Sequence, residues 1–403
     1  KDAEGNPVRS RLRYPAATFM PGQWGSADGA TGYPGSIWKV DGTTGEISLF
    51  TTIAANTGAG LGSLVYDPPT AQFFVSDLDT GLIYRLSTDG IIIDTYDHGT
   101  TGRPEHELEP VADDGTGMAI TDPAFNAEDP ATWGFTQPER RVNGLALNGG
   151  RLFYAAAAQV WSVRINADGS FGAARWELDI ADMPAGNQVT GIVFDPQGRL
   201  ILAERGPQVA SYDYSVFATP NTAPVLRYTR EFPDDPATPG TWEPEPKPYA
   251  IGSAPDGANA SGGIALGPRF NADTNAFDGA CDAWLWASGD SLRDNLSVDD
   301  PLDPPTQIHG LQGFSATLAG DDELPSKSFF TDYDGKSDDD QAEKQGHVGG
   351  IAIWQECAFD ADTYVDIFDA GPTVQERLAM LKTVSRARLL PVRAADRLPG
   401  GTG

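Results

Sequence analysis

Apolar and polar residues alternate along most of this chain in short runs, the period of a strand, whose neighbouring side chains point to opposite faces. Five runs share one form, with Gly set just ahead of or within the apolar alternation. They are Gly60-Leu-Gly-Ser-Leu-Val-Tyr66, Val142-Asn-Gly-Leu-Ala-Leu147, Val189-Thr-Gly-Ile-Val-Phe194, Ser261-Gly-Gly-Ile-Ala-Leu266 and Val348-Gly-Gly-Ile-Ala-Ile353. Two of them lead into a fuller unit. Gly62 is followed by Gln72-Phe-Phe-Val75, Leu82-Ile-Tyr-Arg-Leu86, the turn Asp89-Gly90 and Ile91-Ile-Ile-Asp94. Gly144 is followed by Arg151-Leu-Phe-Tyr154, Gln159-Val-Trp-Ser-Val163, the turn Asp168-Gly169 and Ala174-Arg-Trp-Glu-Leu178. Four strands joined by tight turns and repeated along the chain predict an all-β fold of the β-propeller type.

The last Gly run has no three strands after it, whereas the chain begins with three: Ala16–Met20, Ser36–Val40 and Glu46–Phe50. These read as the outer strands of a blade whose innermost strand is C-terminal, so pairing of the N- and C-terminal segments closes the ring and covers its edges. The count is then five blades: 14–53 with 347–355, 59–98, 142–180, 188–251 and 261–333. The long gaps leave room for a sixth. Long connections at 99–141, 204–224, 289–308 and 332–346, with a smaller one at 21–35, fall on one face, where binding and catalysis concentrate on a rigid scaffold.

Residues 357–403 form an extension to the propeller of 1–356. Thr373-Val-Gln-Glu376 is a capping box, and Val374, Leu378, Leu381 and Val384 recur at helical spacing. This C-terminal helix is basic, with Arg377, Lys382, Arg386 and Arg388, on a chain of net charge -29. It is expected to dock on the acidic body or to mediate self-association.

That charge excludes binding to a phosphate backbone, so no nucleic acid is expected as a partner. No apolar run reaches the roughly 18 residues of a membrane span. The chain starts at Lys1 rather than Met, as expected of a processed or an excised protein, and its scarce lysines and acidic excess suit an extracellular, cell-surface or periplasmic setting. Cys281 and Cys357 are the two cysteines. The blade alignment sets both on the plain face in neighbouring blades, and it predicts a disulfide between them.

Inner strands begin, and second strands end, on the elaborated face, so both line the mouth of the central channel. The inner strands bring Asn143, Gln188, Thr190, Asn259, Ser261 and His347; the second strands bring Asp77, Asp79, Glu204, Arg205 and Asp290. Carboxylates with an amide are oxygen donors suited to Ca²⁺, so Asn143, Glu204, Asp77 and Asp290 are the candidate ligands. His347, Thr190 and Ser261 are the candidate polar residues beside them. Asp332, Asp334 and Asp338 alternate around a glycine as in a calcium loop, but without a distal Glu. Of the four histidines, His98 and His106 read as loop residues of the 99–141 insertion, and no zinc spacing occurs. Trp24, Trp133, Phe135, Tyr212, Tyr214 and Phe217 in or beside the long loops suit a sugar or protein contact surface.

Asn143-Gly-Leu-Ala-Leu147 with Gly150-Arg-Leu-Phe-Tyr154, and Thr190-Gly-Ile-Val-Phe-Asp195 with Gly198-Arg-Leu-Ile-Leu202, resemble blades of the gluconolactonase/NHL-like propellers. The resemblance implies a metal held at the channel mouth by Glu, Asn and Asp. Asn143 matches the Asn, while the Asp position holds Thr190 or Ser261, and no clear Glu opens the first blade. Two functions follow as expectations. The first is a secreted or cell-surface module that binds or assembles with a protein or glycan through its long-loop face. The alternative is a calcium-dependent lactonase or esterase with its site at the channel mouth.

Overall fold

The computed structural model describes residues 26–27, 30–31, 34–58, 60–120, 122–125, 130–207, 221–231, 241–252, 257–271, 274, 276–277, 284–295, 306–321, 323–332 and 349–353. The chain divides into two units, Lys1–Glu356 and Cys357–Gly403. The second, with the expected basic helix, lies outside the described residues, as does the strand expected at 16–20.

Antiparallel strands account for the described part of the first unit. A small ribbon, β1 (Ser26–Ala27) with β2 (Ala30–Thr31), precedes the pair β3 (Ser36–Val40) and β4 (Ile47–Thr52). A four-stranded meander follows: β5 (Leu61–Asp67), β6 (Gln72–Asp77), β7 (Leu82–Ser87) and β8 (Ile92–Asp97). The next is β9 (Val142–Asn148), β10 (Arg151–Ala156), β11 (Gln159–Ile165) and β12 (Phe171–Asp179). Then come β13 (Gln188–Phe194), β14 (Leu200–Arg205), β15 (Val225–Glu231) and β16 (Thr241–Pro244). The last begins with β17 (Ala260–Gly267). A short ribbon, β18 (Phe270–Asn271) with β19 (Ala276–Phe277), separates it from β20 (Trp284–Asn295), β21 (Thr306–Ser315) and β22 (Phe329–Asp332).

These sheets pack face to face in chain order, and the period-2 pattern explains how. Val75 faces a core shared with Ile37, Phe50 and Ile53, while its neighbour Phe74 faces Leu152, Tyr154 and Trp161 of the next sheet. Phe153 and Ala155 face the opposite way, onto Val189, Leu200 and Leu202. Ile201 and Ala203 in turn face Ile264, Leu285 and Phe314. Both faces of each central strand are buried, so runs such as Leu152-Phe-Tyr-Ala-Ala156 are apolar throughout rather than alternating. This succession of meanders is the architecture of a β-propeller.

Two features depart from the sequence reading. Within the stretch 289–308, expected as an insertion loop, the described residues 289–295 and 306–308 are strand: β20 and β21 extend their ladder to Asn295↔Thr306 across a bulge between Gly289 and Arg293. Leu292 and Ile308 are buried in the core shared with the preceding sheet, which is why the hairpin continues. The segment 349–353 carries no ladder among the described residues, and β3 pairs only β4 there. It does lie along β17, because a side chain on Gly263 would meet the Gly349 carbonyl and one on Gly267 would meet Ile353.

Candidate functional site at the inner-strand mouths

Each of the four described innermost strands loses register with its neighbour at the same end. The slips fall at Leu61/Leu64, at Tyr154/Ala156 opposite β9, at Val189/Gly191 and at Ala260/Ile264. The repeated glycines account for this. A Cβ on Gly62 would meet Asn143, on Gly144 the Val189 carbonyl, on Gly191 the Gly262 carbonyl, and on Gly263 that of Gly349. Each glycine thus lets the next inner strand's backbone approach, and the register slip falls beside it. The mouth is narrow: the Ser63 hydroxyl lies 3.5 Å from the Thr190 carbonyl, two sheets away.

Asp77 is fully buried and fully engaged. It accepts from Asn56 Nδ2 (2.8 Å), the Asp79 amide (3.0 Å) and the Thr80 hydroxyl (2.9 Å). Burial raises its pKa, and these bonds pull the other way. Asp79 beside it accepts from the Thr57 amide at 2.6 Å and hydroxyl at 2.7 Å, and from the Met118 amide at 3.2 Å. The pair fastens loops.

Glu204 is also buried, and its carboxylate accepts from Asn187 Nδ2 at 2.7 Å. Burial raises its pKa, partly offset by that bond. Asn143 Nδ2 donates to Gln188 Oε1 at 3.2 Å, joining two successive inner strands. Thr190 Oγ1 is a buried hydroxyl without a hydrogen-bond partner, pressed toward Gly262. Ser261 pairs with Arg205 across the ladder that joins β14 to β17.

Asp290 lies in the bulge of β20, its amide directed to the Asn259 carbonyl at 3.3 Å. Its Oδ1 stands 3.8 Å from His309 Nδ1, and the backbone amide of His309 donates to Asp332 Oδ2 at 3.1 Å. The structure therefore joins Asp290 and Asp332, which the sequence placed in separate groups, through a histidine that the sequence reading left without a role. Only the longer ladder of β20 and β21, invisible in the pattern, brings them together. His347, Asp334, Asp338, Cys281 and Cys357 lie outside the described residues. Among the described residues no three His, Cys, Asp or Glu side chains converge as a metal site. Asp77 is already saturated by donors, so the calcium reading has no assembled ligand set there.

The described residues of the 99–141 insertion form a rim held by buried contacts. Arg140, almost wholly buried, donates to the carbonyls of Thr80 (2.7 Å) and Val111 (3.0 Å) and pairs with Asp97 (3.2 Å). Met118, Ile120 and Phe125 form a small core of the rim with Trp133 and Phe135. His98, expected as a loop residue, is fully buried at the base of the insertion, with Nδ1 3.0 Å from the Tyr154 hydroxyl and its ring against Trp161. Burial, aided by Arg103 and Arg140, pulls its pKa down to about 3.

No protein-family model matches the chain, and no curated protein matches it. Solved structures do. A putative 6-phosphogluconolactonase from Bacteroides uniformis is 14% identical, with a TM-score of 0.34 over 70% of this chain and 60% of that one. A streptogramin B lyase structure is 12% identical, with a TM-score of 0.35 over 70% of this chain and 60% of that one. The periplasmic gluconolactonase of Pseudomonas aeruginosa is 14% identical, with a TM-score of 0.33 over 70% of this chain and 58% of that one. The chain spans less than two thirds of the length of each of these three. No helix among the described residues is long and apolar enough to cross a membrane.

Proposed function

We propose that the chain is a five-bladed β-propeller that hydrolyses small lactones or esters at the channel mouth, with His309 and Asp290 as its acid–base pair. The fifth inner strand would be 349–353, which lies along β17 as each described inner strand lies along the one before it. The observation that carries the chemistry is the 3.8 Å approach of the Asp290 carboxylate to His309 Nδ1 in a bulged strand at the mouth. A carboxylate at one imidazole nitrogen favours proton uptake at the other, and such pairs are often loose before substrate arrives. His309 would take a proton from water as its oxygen adds to the ester carbonyl. It would return that proton to the departing alkoxide, giving a hydroxy acid from a lactone, or a carboxylic acid and an alcohol or phenol from an open ester.

Turnover of a panel of γ- and δ-lactones and aryl acetates tests this. His309→Gln should lower kcat by about 10²–10⁴ and Asp290→Asn by less. Undiminished turnover in His309→Gln, or no turnover of any ester by the native protein, overturns it. Loss of turnover in chelator, restored by Ca²⁺, would bring the calcium-dependent form of the reaction back, with Asn143, Glu204 and Asp290 as ligands.

The rim favours a second reading, in which Trp133 and Phe135 contact a glycan or protein partner. Binding on a glycan array, lost in Trp133→Ala while ester turnover persists, would support it. An extracytoplasmic setting with a Cys281–Cys357 bridge belongs to the same proposal. Two free thiols in unreduced, denatured protein would remove it.

A further inference from the structure

Arg205 ends β14, and its backbone is paired on both sides: with Gln188 of its own inner strand and with Ser261 of the next sheet's inner strand. Residues directly opposite one another in antiparallel ladders project to the same face. Gln188, Arg205 and Ser261 therefore form one row across three strands at the mouth.

Each member of that row offers a donor. The Gln188 carbonyl end is taken by Asn143 Nδ2, which leaves the amide's NH₂ end to donate elsewhere. Thr190, on the same inner strand, adds a buried hydroxyl that has no partner. Arg205 remains partly solvent-accessible, yet no described residue accepts a hydrogen bond from its guanidinium. Burial is the one influence on its pKa, which it lowers, and no carboxylate among the described residues acts against it.

An arginine with no counter-ion among the described residues is unusual in so acidic a chain. The chain has 57 acidic residues for 28 basic ones. Sheltered cations are normally paired, because an uncompensated charge costs several kcal/mol. Arg140, Arg199 and Arg227 all follow that rule, with Asp97, Asp195 and Glu245 beside them.

We propose that the row Gln188–Arg205–Ser261 binds a small carboxylate at the channel mouth. A carboxylate fits better than a phosphate for two reasons. The planar guanidinium takes both oxygens of a carboxylate at once, and one positive charge balances one negative charge. A dianion would be half-neutralised within a strongly acidic body. The site stands on these residues alone and holds whether or not the mouth hydrolyses esters.

The experiment is calorimetric titration of the full chain with acetate, gluconate, phosphate and chloride at matched ionic strength, for the native protein, Arg205→Met and His309→Gln. Gluconate or acetate should bind the native protein and His309→Gln alike, and at least about tenfold more weakly to Arg205→Met. Without added carboxylate, Arg205→Met should melt at or above the native temperature, since it removes an unpaired charge; a purely structural arginine would instead destabilise on removal. Phosphate binding without carboxylate binding overturns the proposal, as does carboxylate affinity within about twofold in Arg205→Met. Should that variant fail to fold, the arginine Nε–Hε resonances of the native protein decide. One of them, assigned with Arg205→Lys, should shift saturably with gluconate, and no shift overturns the proposal. Loss of turnover in His309→Gln with carboxylate binding intact separates this site from the hydrolytic one.

Discussion

The Ser76 hydroxyl donates to the Asn143 carbonyl at 2.5 Å and so ties one inner strand to the next. It also accepts from the Ser63 amide of its own sheet at 2.9 Å. Ser288 repeats the arrangement, accepting from the Gly263 amide and donating to the Gly349 carbonyl, both at 2.9 Å. In one of the two sheets between them, β13 to β16, the same approach is made beside Ala203, which has no hydroxyl to offer.

Ser76→Ala should therefore cost about 1–3 kcal/mol, because it leaves a buried amide and a buried carbonyl unpaired. Ser288→Ala should fall in the same range. Urea unfolding with an unchanged m-value checks both. A loss below about 0.5 kcal/mol would mean that water replaces the hydroxyl.

His98 sets an acid limit on stability. Its folded pKa is near 3, below the ordinary value of 6.5, so the unfolded chain binds the proton more readily. The stabilisation is whole above pH 6.5 and is lost as the pH falls toward 3, by up to about 1.4 kcal/mol per pH unit. The raised carboxyls of Asp77 and Glu204 act in the opposite sense, since they hold protons better folded than unfolded. The comparison is thus between native protein and His98→Gln, by denaturant unfolding at a series of pH values. The variant should show a shallower acid slope, and identical slopes would refute the assignment.

Two glycines should differ sharply in tolerance. At Gly263 a methyl group would strike the Gly349 carbonyl and the Ser288 hydroxyl, so Gly263→Ala should cost roughly 2–4 kcal/mol. Gly198 has a φ of +75° but open space around it, so Gly198→Ala should cost only about 1 kcal/mol of backbone strain. Melting temperatures of the two variants give the order, and an equal loss would deny the close approach of segment 349–353.

The strands were legible from the glycine-led runs and the tight turns between them; alternation is weak in Leu152 to Ala156 and Leu200 to Ala203 because both faces of these central strands are buried. The positions of Asn143, Thr190 and Ser261 near the starts of inner strands, and of Glu204 near the end of a second strand, could be read from the repeat of glycines alone. Their partners could not. Asp77 looked like a ligand because a pattern cannot show that Asn56 and Thr80, from neighbouring turns, already occupy its oxygens. His309 and Asp290 meet through a bulged ladder that replaces an expected loop, and bulges leave no mark in alternation. Arg205 gave no signal beyond its place next to Glu204, since the absence of a counter-ion among the described residues is a fact of three dimensions.

The shared cores between successive sheets also bear on how the molecule comes apart. Phe74 and Val75 belong to different cores, as do Phe153 and Tyr154, or Ile201 and Leu202. Each of these three sheets is therefore a party to two interfaces, and none of the three owns a core of its own. Cutting the chain between Ser87 and Val142 would leave half a core bare on each fragment, and the two halves would be expected to find each other again in solution. Damage spreads in the same way, from one sheet to its neighbour across a common wall, so that losses at Phe153 are felt at Trp242 before they reach Phe314.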